Sequence, residues 1–466
     1  MSAPDPTEPP TTAIAAPHDR PIDRLLRPLA TFARHQLAGA GLLMLATIIA
    51  LAWASSPWHE ALHHLLETQV SVGFGAERLQ KSLHHWINDG LMAVFFFLVG
   101  LEIKREVMVG ELSTMRKAVL PAIAALGGML APAGIYLALN VGGPTEAGWG
   151  VPMATDIAFA LGVLAVLGSR IPVGLKVFLT ALAIVDDIGA VLVIAVFYTD
   201  DVSMISLGVG LVCLLGSVGL NAAGSRHPIP YLVMGVAAWL AFLESGIHAT
   251  IAALLMAFTI PARTRIDGAG FVARMEFLLD RLRWIGLPKD NAMNSSPQQQ
   301  VFEKMNEAID EASAPLQRIE HALVAPVTFV ILPLFALANA GVRLGGDVGA
   351  VVGSPLVLGI VAGLVVGKTL GILGATWLAV KAKIADLPRG VRWGQILGVG
   401  LLGGIGFTMA LFVSQLAFED DAHREAAKLG IFGGSVLAAV AGLAVLRFAT
   451  PREDARAGDA AAPPSV

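Results

Sequence analysis

The chain has 466 residues, of which 55% are hydrophobic and only 15% charged, with 50 glycines and a single cysteine. Ordinary globular domains carry about 25% charged residues, so this composition cannot clothe a soluble surface and points to an all-α polytopic membrane protein. The net charge of -4 argues against a nucleic-acid partner, and the lone Cys213, set in an apolar run, against a disulfide framework or a multi-cysteine metal site.

In chain order, residues 1–36 open Pro/Thr-rich and become basic (Arg24, Arg27, Arg34) without the leading apolar core of a signal peptide. They read as a disordered, basic cytoplasmic tail. A spanning helix needs about 20 mostly apolar residues. Twelve such runs follow within 37–450, centred near Leu45, Phe96, Ala125, Leu161, Ile188, Leu211, Ala237, Ala253, Leu332, Leu364, Ile405 and Ala438.

Cytoplasmic loops carry excess Lys and Arg. Basic residues precede the first run and follow the second (Lys104, Arg105, Arg116, Lys117), fourth (Arg170, Lys176), sixth (Arg226), eighth (Arg263, Arg265) and tenth (Lys381, Lys383, Arg389, Arg392). The alternate loops are poor in them, apart from Arg78 and Lys81 after the first run. That alternation fits an even number of crossings with both termini cytoplasmic, including a C-terminal tail at 451–466. One polar insert, 263–317, is cytoplasmic by the same rule. It holds two amphipathic stretches, Phe271 to Trp284 and Gln298 to Ala312, and Phe302, Met305 and Ile309 share one face of the second. A regulatory cap is one reading of it, and a passive surface hairpin the plainer and preferred one.

Four ionisable groups stand deep in apolar runs: Asp156 in the fourth, Asp186 and Asp187 in the fifth, and Lys368 in the tenth. Each costs about 2.5–3.5 kcal/mol at a helix centre, roughly 10 kcal/mol for the set if the terms add. A buried ion pair that only fixes packing would leave a second carboxylate unexplained, so ion or proton handling is the stronger reading. Adjacent aspartates diverge by about 100° around a helix, so Asp186 is expected to face Lys368 and Asp187 a water-filled cavity. Carboxylates this close cannot both ionise freely, which sets Na⁺ and H⁺ in competition for one site. Thr155 offers a hydroxyl beside Asp156, although such hydroxyls often bond their own backbone.

Pro152 precedes Thr155 and Asp156, and Gly403, Gly404 and Gly406 precede Phe407 and Thr408. Breaks in corresponding runs mark unwound helices at a midplane binding site. There Asp156 would neutralise facing helix N-termini and Lys368 facing C-termini; ordinary glycine packing is the plainer alternative.

Several long motifs then resemble one family. They are the runs at 86–106 (Trp-Ile-Asn-Asp-Gly through Glu-Ile-Lys-Arg-Glu), 154–165 (Ala-Thr-Asp-Ile-Ala-Phe-Ala) and 181–190 (Ala-Leu-Ala-Ile-Val-Asp-Asp-Ile-Gly-Ala), with those at 245–250, 332–342 and 403–409. Together they resemble the NhaA sodium/proton antiporters over roughly Leu37 to Arg447.

The resemblance implies twelve transmembrane helices with inverted repeats crossed by discontinuous helices 4 and 11, in a bacterial inner membrane. It implies electrogenic export of Na⁺ or Li⁺ for more than one proton by alternating access, with no cofactor and no enzymatic activity. Asp186 and Asp187 match the essential aspartate pair, Thr155 and Asp156 the broken-helix pair, and Lys368 the lysine that pairs with the first aspartate. Residues linked to pH regulation match Glu102, Arg105, Glu106, His248, Glu320 and His321. A homodimer formed through the hairpin after the first helix is also implied, although His59 to Lys81 matches poorly. Val324 stands where the family often has a second histidine, Thr369 where it has a proline, and the 263–317 insert is long. A sodium-coupled solute symporter is the alternative; it would add a substrate pocket, for which no motif is present.

Overall fold

The computed structural model describes residues 36–74, 77–199, 202–286, 295–342 and 348–450. The expectations for 451–466 and for all of 1–36 except Gln36 lie outside them. The described chain is almost wholly helical. In order, α1 is Gln36–Ala54 and α2 His59–Glu67, followed by a hairpin of β1 (Gln69–Phe74) and β2 (Glu77–Ser82). Then come α3 (Leu83–Met108), α4 (Met115–Asn140), a 3-10 segment Glu146–Met153, α5 (Ile157–Val166), α6 (Val173–Phe197), α7 (Met204–Ala222), α8 (Pro228–Leu243) and α9 (Ala249–Thr259). The second half holds α10 (Gly268–Ile285), α11 (Ser296–Ala312), α12 (Pro315–Asn339), α13 (Val348–Val352), α14 (Pro355–Lys381), α15 (Trp393–Gly403), α16 (Phe407–Ala417) and α17 (Asp421–Ala449).

Among the described residues, eight helices are long and apolar enough to cross a bilayer, or up to ten if each bent pair of helices counts as one span. The bent pairs are α1 with α2, at 111°, and α15 with α16, at 45°; α8 and α9 are shorter apolar helices. Many large apolar side chains face outward on these helices, Ile48, Leu130, Val196, Ile205 and Val436 among them. That is the surface a lipid solvent selects.

The insert folds as a helical hairpin, α10 against α11, around buried Leu278, Leu282 and Val301. The expected apolar face of α11 is shifted by one position. Val301 and Ala308 turn inward with partly buried Met305, while Phe302 and Ile309 are exposed. Glu311 ties the hairpin together: its side chain pairs with Arg274, and its carbonyl accepts from the Arg265 N–H at 2.8 Å.

What positions the interior is the close crossing of α4 and α14, which pack along their length. Gly127 and Gly371 face each other so closely that a Cβ on either would strike the other's carbonyl. On the same interface Pro132 seats against Gly367, and Pro152 of the 3-10 segment against Gly363. Those glycines bound a π-helical turn, Gly363–Gly367, that ends at Lys368. Such turns re-aim the side chains that follow them, so small-residue packing sets where the buried lysine points. Gly371→Ala should therefore lower stability by about 1–3 kcal/mol through overpacking. Gly374→Ala, with open space around it, should be near neutral; thermal melts of both variants in detergent check this.

Candidate functional site

The chain leaves helical geometry at Ala154–Asp156, between the 3-10 segment and α5, and again at Gly404–Gly406, between α15 and α16. The two breaks bond to each other. The Asp156 N–H donates to the Ile405 carbonyl at 2.7 Å, and the Thr155 hydroxyl to the Gly403 carbonyl at 2.7 Å. Asp156 then caps two helices at once. Its Oδ1 accepts from the Phe159 N–H at 3.0 Å, in the first turn of its own helix α5. Its Oδ2 accepts from the Thr408 N–H at 3.1 Å, in the first turn of α16, and from the Thr408 hydroxyl. One anionic side chain thus faces two positive helix ends.

Past the end of α15 the Gly403 and Ile405 carbonyls are met by the Thr155 hydroxyl and the Asp156 N–H, and Lys368 Nζ donates to Asp186 Oδ2 at 2.5 Å. Both side chains are fully buried. Asp187, next along α6, is 2% exposed, and among the described residues its Oδ1 has no hydrogen-bond partner. Asp187 is therefore buried, where the sequence led us to expect it facing a water-filled cavity. Thr155 lies beside Asp186, while Asp156 and Glu102 lie within electrostatic range of Asp187. The structure thus gathers Thr155, Asp156, Asp186, Asp187 and Lys368 around the crossing.

Among the described residues no group of three His, Cys, Asp or Glu side chains is spaced to hold a metal ion. Two carboxylates suit a monovalent cation whose remaining oxygens come from hydroxyl, carbonyl or water.

A second cluster joins the end of α3 to the start of α12. Arg105 bonds Glu106 and Glu320, each at 2.9 Å, with Glu102 beside them. Glu106 also accepts from the Glu111 N–H at 2.9 Å. Lys104 on the same helix end donates to the Phe258 and Ile260 carbonyls at the far end of α9. His248 caps the opposite end of that 11-residue helix, about 16 Å away by helical rise. His321, the neighbour of Glu320, is exposed. The six candidates for pH control therefore divide into a cluster of four and two outlying histidines.

Thr408 went unselected in the sequence, although a hydroxyl just after a glycine-rich break is the signal that could have found it. Nothing local foretold the network of His84, Asn88 and Asn339, in which Asn339 Nδ2 donates to Asn88 Oδ1 at 2.7 Å and His84 Nε2 lies 3.1 Å from Asn339 Oδ1. It depends on α3 meeting the end of α12.

With this geometry in place, comparison with known proteins decides the family. The sequence signature of the Na⁺/H⁺ antiporter 1 family matches residues 30–446. The chain belongs to this family of antiporters. It is 49% identical over 433 residues to the Na⁺/H⁺ antiporter NhaA of Oleidesulfovibrio alaskensis, covering 93% of this chain and 96% of that protein. The NhaA proteins of Koribacter versatilis (47% over 426 residues; 91% and 92% covered) and Acidithiobacillus ferrooxidans (49% over 423 residues; 90% and 97% covered) are similar to it to the same degree. The family is one of transporters rather than enzymes.

The buried ion pair carries a direct stability consequence. Asp186→Asn leaves the lysine without its counter-charge and should destabilise the protein by about 3 kcal/mol. The double variant Asp186→Asn/Lys368→Met should recover most of that loss, as read from detergent melting temperatures.

Proposed function

We propose that the protein is an electrogenic Na⁺(Li⁺)/H⁺ antiporter that exports sodium in exchange for more than one proton by alternating access. In this reading it crosses a bacterial inner membrane twelve times with both termini cytoplasmic, and α5 and α16 are halves of discontinuous helices 4 and 11 within an inverted repeat. The observation that carries the proposal is the buried Lys368–Asp186 pair beside Asp187, whose Oδ1 lacks a hydrogen-bond partner among the described residues.

The exchange follows from charge balance at these three groups. With Lys368 on Asp186 and a proton on Asp187, the site carries no net charge. A sodium ion entering between the two carboxylates displaces the Asp187 proton and competes with Lys368 Nζ for Asp186. A buried ammonium deprived of its carboxylate is costly, so Lys368 sheds its proton as well. More than one proton leaves per Na⁺, and the difference is the net charge moved. Thr155 and Asp156 hold the broken backbone open beside the carboxylates, and Thr155 is a candidate oxygen ligand.

Regulation by pH is assigned to the cluster of Glu102, Arg105, Glu106 and Glu320, with His248 and His321 in subsidiary positions. A shift in its proton occupancy would alter how α3 is tied to α12. The β1–β2 hairpin pairs over six residues of each strand. It offers a strand edge to the same hairpin of a second copy, in a homodimer.

Everted membrane vesicles test the function. Added NaCl should collapse a preformed acid-inside gradient with wild-type protein at alkaline pH, and Asp187→Asn should reduce that response by about 100-fold or more, as loss of an essential charge-transfer group does. No response from wild type at either neutral or alkaline pH would sink the antiport reading.

A further inference from the structure

Away from the ion site, the C-terminal ends of α5 and α17 lie side by side. Arg170 closes a short 3-10 turn after α5, and Arg447 stands in the last turn of α17. A groove of about 310 Å³ separates them, lined by Val166, Leu167, Arg170, Leu443, Ala444 and Arg447. Neither guanidinium has a hydrogen-bond or ion-pair partner among the described residues. Two like charges at one groove, half-buried Arg170 and exposed Arg447, do not stabilise the fold through each other and present a joint site for an anion. The apolar walls are the second observation. Val436, Val440, Leu443 and Arg447 recur at helical spacing along one stripe of α17, and Val436 and Val440 are strongly exposed. The stripe runs about 16 Å from the arginine toward the middle of the helix, and exposed Val166 continues the apolar surface on α5.

We propose that this groove binds an anionic phospholipid, its phosphate held between Arg170 and Arg447 and one acyl chain lying along the Val436–Val440–Leu443 stripe. A free phosphate would match the arginines but not the stripe; a zwitterionic lipid would match the stripe but bring its own cation beside the two guanidiniums. Guanidinium pairs recognise phosphate through parallel N–H donors, and juxtamembrane cations favour anionic lipids. Because α5 begins at Asp156, a lipid seated here links the half-helix that caps the broken crossing to α17. The proposal needs only that the chain spans a bilayer, and its readout does not depend on ion exchange.

The test measures the melting temperature of the full-length protein in detergent with added dioleoylphosphatidylglycerol, dioleoylphosphatidylcholine or soluble glycerol phosphate. Wild type should gain about 5 °C with phosphatidylglycerol and little with the other two. Arg170→Gln/Arg447→Gln should lose most of that gain, and Arg170→Lys/Arg447→Lys should keep part of it. Native mass spectrometry should show one fewer retained phosphatidylglycerol on the glutamine pair than on wild type; if the pair does not yield folded protein, single Arg447→Gln is read in the same way. An undiminished gain in the glutamine variant would overturn the site. An equal gain with phosphatidylcholine would overturn the charge requirement, and an equal gain with glycerol phosphate would overturn the lipid.

Discussion

Asp156 holds together two helix ends that a membrane protein could not otherwise leave open. An unpaired backbone group costs several kcal/mol in hydrocarbon, and a broken helix exposes several at each side of the break. Here the breaks satisfy each other: Asp156 N–H on Ile405, Thr155 hydroxyl on Gly403, and the Asp156 carboxylate on the first turns of both α5 and α16. The irregular backbone persists because it lies inside protein, and it places polar groups where a continuous helix would have only apolar ones.

The ion site depends on that crossing and on the packing of α4 against α14. The glycine contact of Gly127 with Gly371 and the seats of Pro132 on Gly367 and Pro152 on Gly363 fix the π-helical turn that delivers Lys368 to Asp186. Asp187, one residue on, is left buried with an unpartnered oxygen. A structural ion pair alone would not need that second carboxylate. In the exchange proposed above, these three titratable groups form a device in which a cation and protons exclude one another.

Much of this was legible in the sequence because hydrocarbon makes its rules strict. Eleven of the twelve apolar runs have their centres in helices, and the twelfth, at Ile405, is centred on a break. The divergence of adjacent aspartates meant that only one could face Lys368, and it is Asp186 that does. Contacts that arise only when distant helices meet were not legible: Thr408 on Asp156, Arg105 on Glu320, and Asn339 on Asn88. The face of α11 was misplaced by one residue for a related reason. Its periodicity admits two neighbouring stripes, and contact with Leu278 and Leu282 of α10 chose the one through Val301 and Ala308.

The most direct test of the central claim is proton release on adding Na⁺ to purified protein in weakly buffered detergent solution, followed with a pH dye. Wild type should release more than one proton per bound Na⁺, and Lys368→Met should release about one fewer, the remainder coming from Asp187. Release unchanged in Lys368→Met would contradict the account, because the lysine would then be a structural partner of Asp186 and not a carrier of protons.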